Sequence, residues 1–433
     1  MSELTVVGAG LAGSEAAWQA AARGVKVRLC EMRPVKLTEA HKTGSFAELV
    51  CSNSLRSADM MSAAGLLKRE LQAADSLVMK AAEICRVPAG SALAVDRTLF
   101  SRFVTDAVSS HPLIEVMRGE VTIIPGGPAI IATGPLTSSA MAESLERLVG
   151  SRHLYFYDAI APIVDAGSID YNKVFLASRY GKGGDDYVNC PLSREEYESF
   201  LDGLRQADRV NIRDFENEKV FEGCMPVEVM ASRGEDTLRF GPMKPVGLRD
   251  PRTGREPYAV VQLRPENKDG SAYNMVGFQT RVRWPEQQRV FRMIPGLEKA
   301  EFLRFGSVHR NTFINAPQVL KADLSLKELH DTFLAGQITG VEGYLESTAM
   351  GLIAGINAAR MVQGKEPAVV PVPTAHGALL RHITTQVKNF QPSNINFGLF
   401  PRFSEGGRKD LRRKMLVERA MKDWEGYCAR VRQ

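Results

Sequence analysis

The chain has only six cysteines in 433 residues, at 30, 51, 85, 190, 224 and 428, and no two of them form a C-x-x-C pair. That spacing excludes a zinc ribbon and a thioredoxin-type motif, and it fits free thiols in a reducing cytoplasm. The seven histidines show no ligand spacing, so no metal site is expected. No run approaches 18 apolar residues, so neither a membrane-spanning helix nor a membrane partner is expected. A first strand is expected from Leu4, which leaves no room for a signal or transit peptide ahead of it. There is no internal repeat, no low-complexity tract and no second G-x-G-x-x-G. Unbalanced charge is confined as well. The net charge is +5, and residues 402–433 hold ten Lys/Arg against five Asp/Glu, so the whole excess lies there. A solvated helix and a polyanion contact explain that excess equally well.

What is present reads as a globular α/β protein. Hydrophobic content is 44% and charged content 24%, and the length suits two domains or one domain with a large insert. Gly8-Ala9-Gly10-Leu11-Ala12-Gly13 reads G-x-G-x-x-G directly after the apolar run Leu4-Thr5-Val6-Val7. A helix is expected from about Ala12 to Arg23, stopped by Gly24. A second strand, Val25 to Cys30, ends at Glu31, 18 residues beyond Gly13. Glycine allows the tight turn and lets the backbone approach a pyrophosphate on the helix N-terminus. Glu31 would hydrogen-bond ribose hydroxyls, which suits FAD or NAD rather than a 2′-phosphate.

Two later segments favour FAD. Ala132-Thr133-Gly134 resembles the strand end that flavoproteins place near the first loop. Leu334-Ala335-Gly336-Gln337 resembles the late element whose following helix points its N-terminus at the flavin. One tightly held FAD, reduced by a transient NAD(P)H, is the expectation. The expected fold is a Rossmann-like FAD-binding domain with an inserted α+β domain: residues 1–150, an insert at 151–327, then 328–433. Residues 35–57 read as a long polar loop, and a helical pattern runs from about Ser62 to Ile84.

Two thiols stand apart. Cys51 lies in Glu48-Leu49-Val50-Cys51-Ser52-Asn53-Ser54-Leu55-Arg56, and Cys224 in Phe221-Glu222-Gly223-Cys224-Met225-Pro226. A reactive thiolate needs positive charge or backbone donors nearby, and both segments could supply them. On context alone each stands evenly between reactive and incidental. Cys30 reads as core, Cys85 and Cys428 as helix packing, and Cys190 as ambiguous. His309, in Phe305-Gly306-Ser307-Val308-His309-Arg310-Asn311, is either structural or at a ligand-facing strand end. His41 is loop-borne, facing a ligand or nothing. A C-terminal helix from about Gly407 to Val431 puts Leu411, Leu416, Ala420, Trp424 and Tyr427 on one face. Arg408, Lys409, Arg412 and Arg413 fall largely elsewhere, where they could meet RNA phosphates.

Together these stretches resemble the bacterial folate- and FAD-dependent tRNA (uracil-5-)-methyltransferases, the TrmFO family. The resemblance is carried by Val6 to Glu15, Glu31-Met32-Arg33-Pro34, Phe46 to Ser54, Phe221 to Pro226, Ala335 to Tyr344 and Asn394 to Gly398. It runs through essentially the whole chain, and the two cysteine contexts are its most specific parts. Ser393 and Glu39 depart from the family pattern, away from the chemistry. The resemblance implies 5,10-methylenetetrahydrofolate as carbon donor, NAD(P)H as reductant, tRNA as partner and the T-loop uridine as substrate. It implies that Cys224 adds to uracil C6, and that Cys51 takes the C5 proton or guards the flavin. It further implies that His309 stacks on the pterin and that Tyr344 and Arg281 line the flavin pocket. The same chemistry on a ribosomal RNA uridine, and an FAD-containing RNA-binding paralogue without turnover, remain open alternatives.

Overall fold

The computed structural model describes residues 3–149, 154–210, 225–387, 390–401 and 409–432, with backbone alone for 154–160, 308–311 and 409–410. Five parallel strands form the first sheet, in the order Thr332–Leu334, Ala129–Ile131, Leu4–Val7, Val27–Glu31, Ile114–Arg118. Leu4, Val6, Val27, Leu29, Ile130, Ile131 and Phe333 are buried, as expected of parallel strands covered on both faces. The first helix, Leu11–Ala21, crosses this sheet and packs against the long helix Tyr344–Val362. The two axes can approach because the facing residues are small. A Cβ on Gly351 would lie 2.2 Å from the Ala12 carbonyl oxygen, and one on Gly355 would lie 2.5 Å from that of Ala16. This register makes the helices parallel, so their N-termini open toward the same end of the sheet.

The second sheet is antiparallel: Phe175–Leu176, Val188–Leu192, Ala259–Pro265, Ala272–Met275, Ile163–Asp165, Phe302–Arg304. It has its own apolar core around Phe200, Leu204, Val261, Phe278 and Phe291. A two-stranded ladder, Leu154–Ile160 with Ser307–Phe313, carries the chain out and back. The sequence boundary at 327 falls too late. Phe313, Ile314, Ala316, Leu320 and Leu324 already pack in the first core, because the chain returns to it along that ladder.

Three local expectations also change. The pattern over 62–84 is two helices, Ala63–Ala73 and Leu77–Ile84. Asp75 takes φ +58° between them, and the Ser76 hydroxyl caps the second by accepting from the Met79 N–H. The polar loop after Glu31 is anchored: Phe46, Ala47 and Leu49 are buried, and Ser54–Ser57 joins a small sheet with Ala92–Val95. The C-terminal helix, Lys409–Val431, buries Leu416, Ala420, Trp424 and Tyr427, but Leu411 is exposed. Docking begins one turn later than the sequence stripe implies. Trp424 Nε1 donates to the Glu70 carbonyl at 2.6 Å, and its ring stacks on His376 at 4.1 Å. Among the described residues no helix is long and apolar enough to cross a membrane.

Candidate functional site

The glycines of the first loop do three different things. Gly8 has φ +96°, and a Cβ there would sit 2.6 Å from the Ala132 carbonyl oxygen. At Gly13 a Cβ would fall 1.7 Å from the Gly8 carbonyl oxygen, so Gly13 seats the helix on the loop. Gly10 has φ −70°, and a Cβ there would meet nothing within 4 Å. Gly10 is the N-cap of Leu11–Ala21, and no side chain caps that end. Gly343, the N-cap of Tyr344–Val362, has no side-chain cap either. Two helices longer than ten residues thus present glycine-capped N-termini, which attract anionic groups, at one cleft.

The cleft has a cavity volume of about 140 Å³. Gly8, Gly10, Leu11, Ala12, Glu31, Thr133, Gly134, Gly336, Gln337 and Tyr344 line it. Ala9 acts from behind, its N–H donating to Glu31 Oε2 at 2.8 Å. Arg281 does not line it. It stands on the insert, where its N–H donates to Glu228 Oε1 at 2.9 Å and its guanidinium lies 3.7 Å from that carboxylate. Glu228 belongs to the short helix Val227–Ser232, which follows the Cys224 segment. Cys30 is half-buried on the cleft wall rather than in the core, and burial pushes its thiol up. His41 also lines the cleft, with Nδ1 2.7 Å from Thr38 Oγ1.

Glu31 is more committed than its sequence position suggests. Its two oxygens receive Ala9 N–H, Arg33 N–H, Arg33 Nε at 2.9 Å and Arg33 Nη2 at 3.2 Å. Those four bonds fill a carboxylate's capacity, so a ribose hydroxyl gains Glu31 only by displacing one of them. Burial pushes the Glu31 carboxyl up, but the bonds and charge of Arg33 outweigh it and hold the group below its ordinary value. Arg33 also reaches Glu48 Oε2 at 3.3 Å, which ties the cleft to the loop carrying Cys51. Sequence reasoning missed this role, although a cation two residues beyond the acid was visible.

Cys51 sits on an irregular turn at the edge of the cleft, half-buried, with Val50 before it on the wall. The Tyr344 hydroxyl accepts from Cys51 N–H at 2.8 Å and from Ser52 N–H at 3.1 Å. Burial and the neighbouring Cys51 push the Tyr344 phenol up, so it stays a neutral hydroxyl. Arg97 donates to the Leu49 carbonyl at 2.6 Å and the Cys51 carbonyl at 3.4 Å. Glu266 fixes Arg97 with two bonds, at 2.6 and 3.1 Å. Arg264 donates to Ser52 Oγ at 2.8 Å and Asn53 Oδ1 at 2.9 Å. Neither arginine was singled out in the sequence, because each lies far from Cys51 along the chain.

The other expected site residues are placed unevenly. Cys224 and Arg408 lie outside the described residues. His309 pairs with Asp158 in the two-stranded ladder, and only its backbone is described. Lys409 opens the C-terminal helix, again as backbone. Arg412 is exposed, and the Arg413 guanidinium lies 5.1 Å from the Phe397 ring centre. Phe397 follows Ile395, whose N–H donates to Glu346 Oε1 at 2.8 Å, in the first turn of the cleft-facing helix. Arg413, near the start of the C-terminal helix, therefore lies beside the segment that meets the first turn of Tyr344–Val362. Arg432, about 30 Å further along by helix rise, pairs with Asp75 at the other end.

Comparison with known proteins agrees with this geometry. The family model described as glucose inhibited division protein A matches residues 3–366. A methylenetetrahydrofolate–tRNA-(uracil-5-)-methyltransferase TrmFO of Geobacter sulfurreducens is 61% identical over 431 residues, 99% of each chain. Its counterpart in Pelotomaculum thermopropionicum is 61% identical over 427 residues, 98% of each. The solved structure of Aquifex aeolicus GidA shares the fold, with a TM-score of 0.71 at 18% identity over 98% of this chain and 73% of that one. With a parallel-sheet dinucleotide cleft, a thiol fixed at its edge and full-length relatives at this identity, the chain belongs to the TrmFO family of methylenetetrahydrofolate–tRNA-(uracil-5-)-methyltransferases.

Proposed function

We propose that this chain transfers the one-carbon unit of 5,10-methylenetetrahydrofolate to C5 of the T-loop uridine of tRNA, in the cytoplasm, giving 5-methyluridine. The observation that carries the reading is the meeting of two glycine-capped helix N-termini with the Cys51 turn at one cleft. The cleft fits FAD. Gly10 leaves open space where a pyrophosphate approaches the first helix, and Gly336 and Tyr344 bring the second helix to the same wall. Bound there, FAD supplies the two electrons, delivered by NAD(P)H, that turn a methylene unit into a methyl group. A three-part division of the chain belongs to this reading, with the return to the first core set at Phe313 rather than at 327 and the insert supported by its separate core.

The chain's own residues supply the rest. Uracil C5 is a weak nucleophile, and the Cys224 thiolate corrects this by bonding to C6 and pushing electron density to C5. Cys51, held by Tyr344 and Arg97, takes the C5 proton, and the Cys224–C6 bond breaks as the pyrimidine recovers its double bond. His309 stacks on the pterin. Arg281, beside the helix that follows Cys224, orders the nucleophile's end of the site rather than the flavin. Arg408, Lys409, Arg412 and Arg413 take RNA phosphates at the start of the C-terminal helix. The test is nucleoside mass spectrometry of unmodified tRNA and ribosomal RNA transcripts, each incubated with the purified protein, FAD, NADPH and 5,10-methylenetetrahydrofolate. Folate-dependent 5-methyluridine in the T-loop is expected. Product only in ribosomal RNA would move the substrate, and none in either would remove the activity.

A further inference from the structure

Arg264 lies on the insert strand Ala259–Pro265, more than 200 residues from the turn it grips. It is buried, and its bonds go to neutral groups, Ser52 Oγ and Asn53 Oδ1, with the Tyr187 phenol nearby. Among the described residues no carboxylate lies within ion-pair distance of it, whereas Arg97 beside it is neutralised by Glu266. Burying an unpaired guanidinium is costly, and burial accordingly pushes the Arg264 pKa down. Holding a serine and an asparagine needs no charge, since a neutral donor would do it.

The grip is also specific in place. Asn53 is fully buried, and its amide donates to the Val95 carbonyl of the first unit at 3.0 Å and the Pro265 carbonyl of the insert at 2.8 Å. Arg264 therefore fastens the Cys51 turn at the junction of the two sheets. The charged and titratable groups acting around the turn are Tyr344 from the long helix, Arg97 from the helix Arg97–Ser109, Arg264 and Glu266 from the insert strand and its end, and Arg304 from Phe302–Arg304. Counting those charges, the pair Arg97–Glu266 cancels, and Arg264 and Arg304 leave the surroundings of Cys51 net positive.

We propose that Arg264 is a positioning residue for Cys51, fixing the Ser52–Asn53 shoulder of its turn and supplying the positive charge that a working thiolate needs. The proposal rests on the catalytic reading of Cys51, and its test can fail independently of that reading. Arg264→Met and Arg264→Lys are compared with wild type as FAD-loaded protein. In the methylation assay Arg264→Met is expected to lose about a hundredfold in kcat, the scale of a misplaced catalytic group, with KM for RNA and folate within about twofold and flavin content unchanged. Arg264→Lys is expected to recover much of that loss. Mass spectrometry of iodoacetamide-treated protein, which needs neither RNA nor folate, should show Cys51 labelled about tenfold more slowly in Arg264→Met, as expected for one lost nearby charge. Wild-type kcat and wild-type labelling in Arg264→Met overturn the proposal. So does a loss of kcat that Arg264→Lys does not relieve, or one that follows loss of flavin. Arg264-dependent labelling in a wild-type protein that makes no 5-methyluridine would instead remove the methyltransferase reading and leave the positioning role standing.

Discussion

Replacing Gly10 and Gly13 separates the cost of binding FAD from the cost of folding. A methyl group at Gly13 would lie 1.7 Å from the Gly8 carbonyl oxygen, under half the ~3.5 Å at which non-bonded atoms rest. The obstacle is backbone, so the helix Leu11–Ala21 has to move off the loop. Overpacking of this kind costs about 3 kcal/mol or more, which lowers Tm by roughly 3 °C or more for a chain of this length, with or without flavin. Gly10 is the opposite case. Its φ of −70° suits any residue, and a Cβ there meets nothing within 4 Å. Gly10→Val should fold with the stability of the flavin-free wild type, but its methyl groups enter the space in front of the helix N-terminus. Keeping the pyrophosphate from two first-turn N–H groups forfeits two charge-assisted bonds of about 1.5 kcal/mol each. Together that is slightly more than a hundredfold in FAD affinity. The assays are absorbance of the purified protein near 450 nm, FAD titration after stripping, and thermal unfolding of the flavin-free forms. A yellow, stoichiometrically loaded Gly10→Val protein would refute the assignment of the pyrophosphate to this loop. A flavin-free Gly10→Val protein as unstable as Gly13→Ala would refute the claim that Gly10 faces open space.

Other predictions address the thiols, the RNA and the acid. RNA carrying 5-fluorouridine at the target should form a covalent adduct with wild type and with Cys51→Ala but not with Cys224→Ala, because fluorine does not leave as a cation when the C5 proton normally would; the reverse pattern on denaturing gels would exchange the two roles. Charge reversal at Arg412 and Arg413 should weaken RNA binding, flattening the slope of log affinity against log salt by roughly 0.7–0.9 per lost phosphate contact, while nicotinamide oxidation is spared; an unchanged slope would leave the helix a docked structural element. Glu31 is held below its ordinary value of 4.5, so its contribution to stability is present above that pH and is lost as pH falls through the folded-state value. Glu31→Gln should therefore be less stable than wild type at neutral pH, with the gap closing in acid, and a gap in urea midpoints independent of pH would contradict the Arg33–Glu31 account.

What the sequence made legible was local. The strand, glycine turn, helix and acid of residues 4–31 are close neighbours in the chain, and each carries its own signal: an apolar run, required glycines, a terminal carboxylate. All were found where they were expected, as were the glycine at 336 and the helix beyond it. Where a periodic pattern was interrupted by one residue in an unusual conformation, the reading failed. Asp75 at φ +58° divides a helix that hydrophobic spacing had joined. Burial of Phe46 and Leu49 likewise turned a polar-looking loop into an anchored one.

The surroundings of the thiol were illegible for a different reason. Cys51 could be suspected from the polar residues beside it, but what holds it comes from elsewhere: Tyr344 from a helix start, Arg97 from another, Arg264 from the insert. None of these contacts has a period or a motif, because hydrogen bonds to a turn impose no spacing on distant segments. Arg281 shows the converse. It could be named from a resemblance, yet its neighbours Glu228 and Thr280 place it by the helix leading from Cys224, not by the flavin cleft. The two cysteines therefore call for separate tests. One is anchored by groups from both cores at a cleft whose shape can be tested by a single methyl group. The other lies outside the described residues, and the first described helix after it, Val227–Ser232, carries Glu228 paired with Arg281, so Glu228→Gln should slow fluorouridine adduct formation while leaving Cys51 labelling unchanged. A Glu228→Gln protein that forms the adduct at the wild-type rate would show that the ion pair has no part in placing the nucleophile.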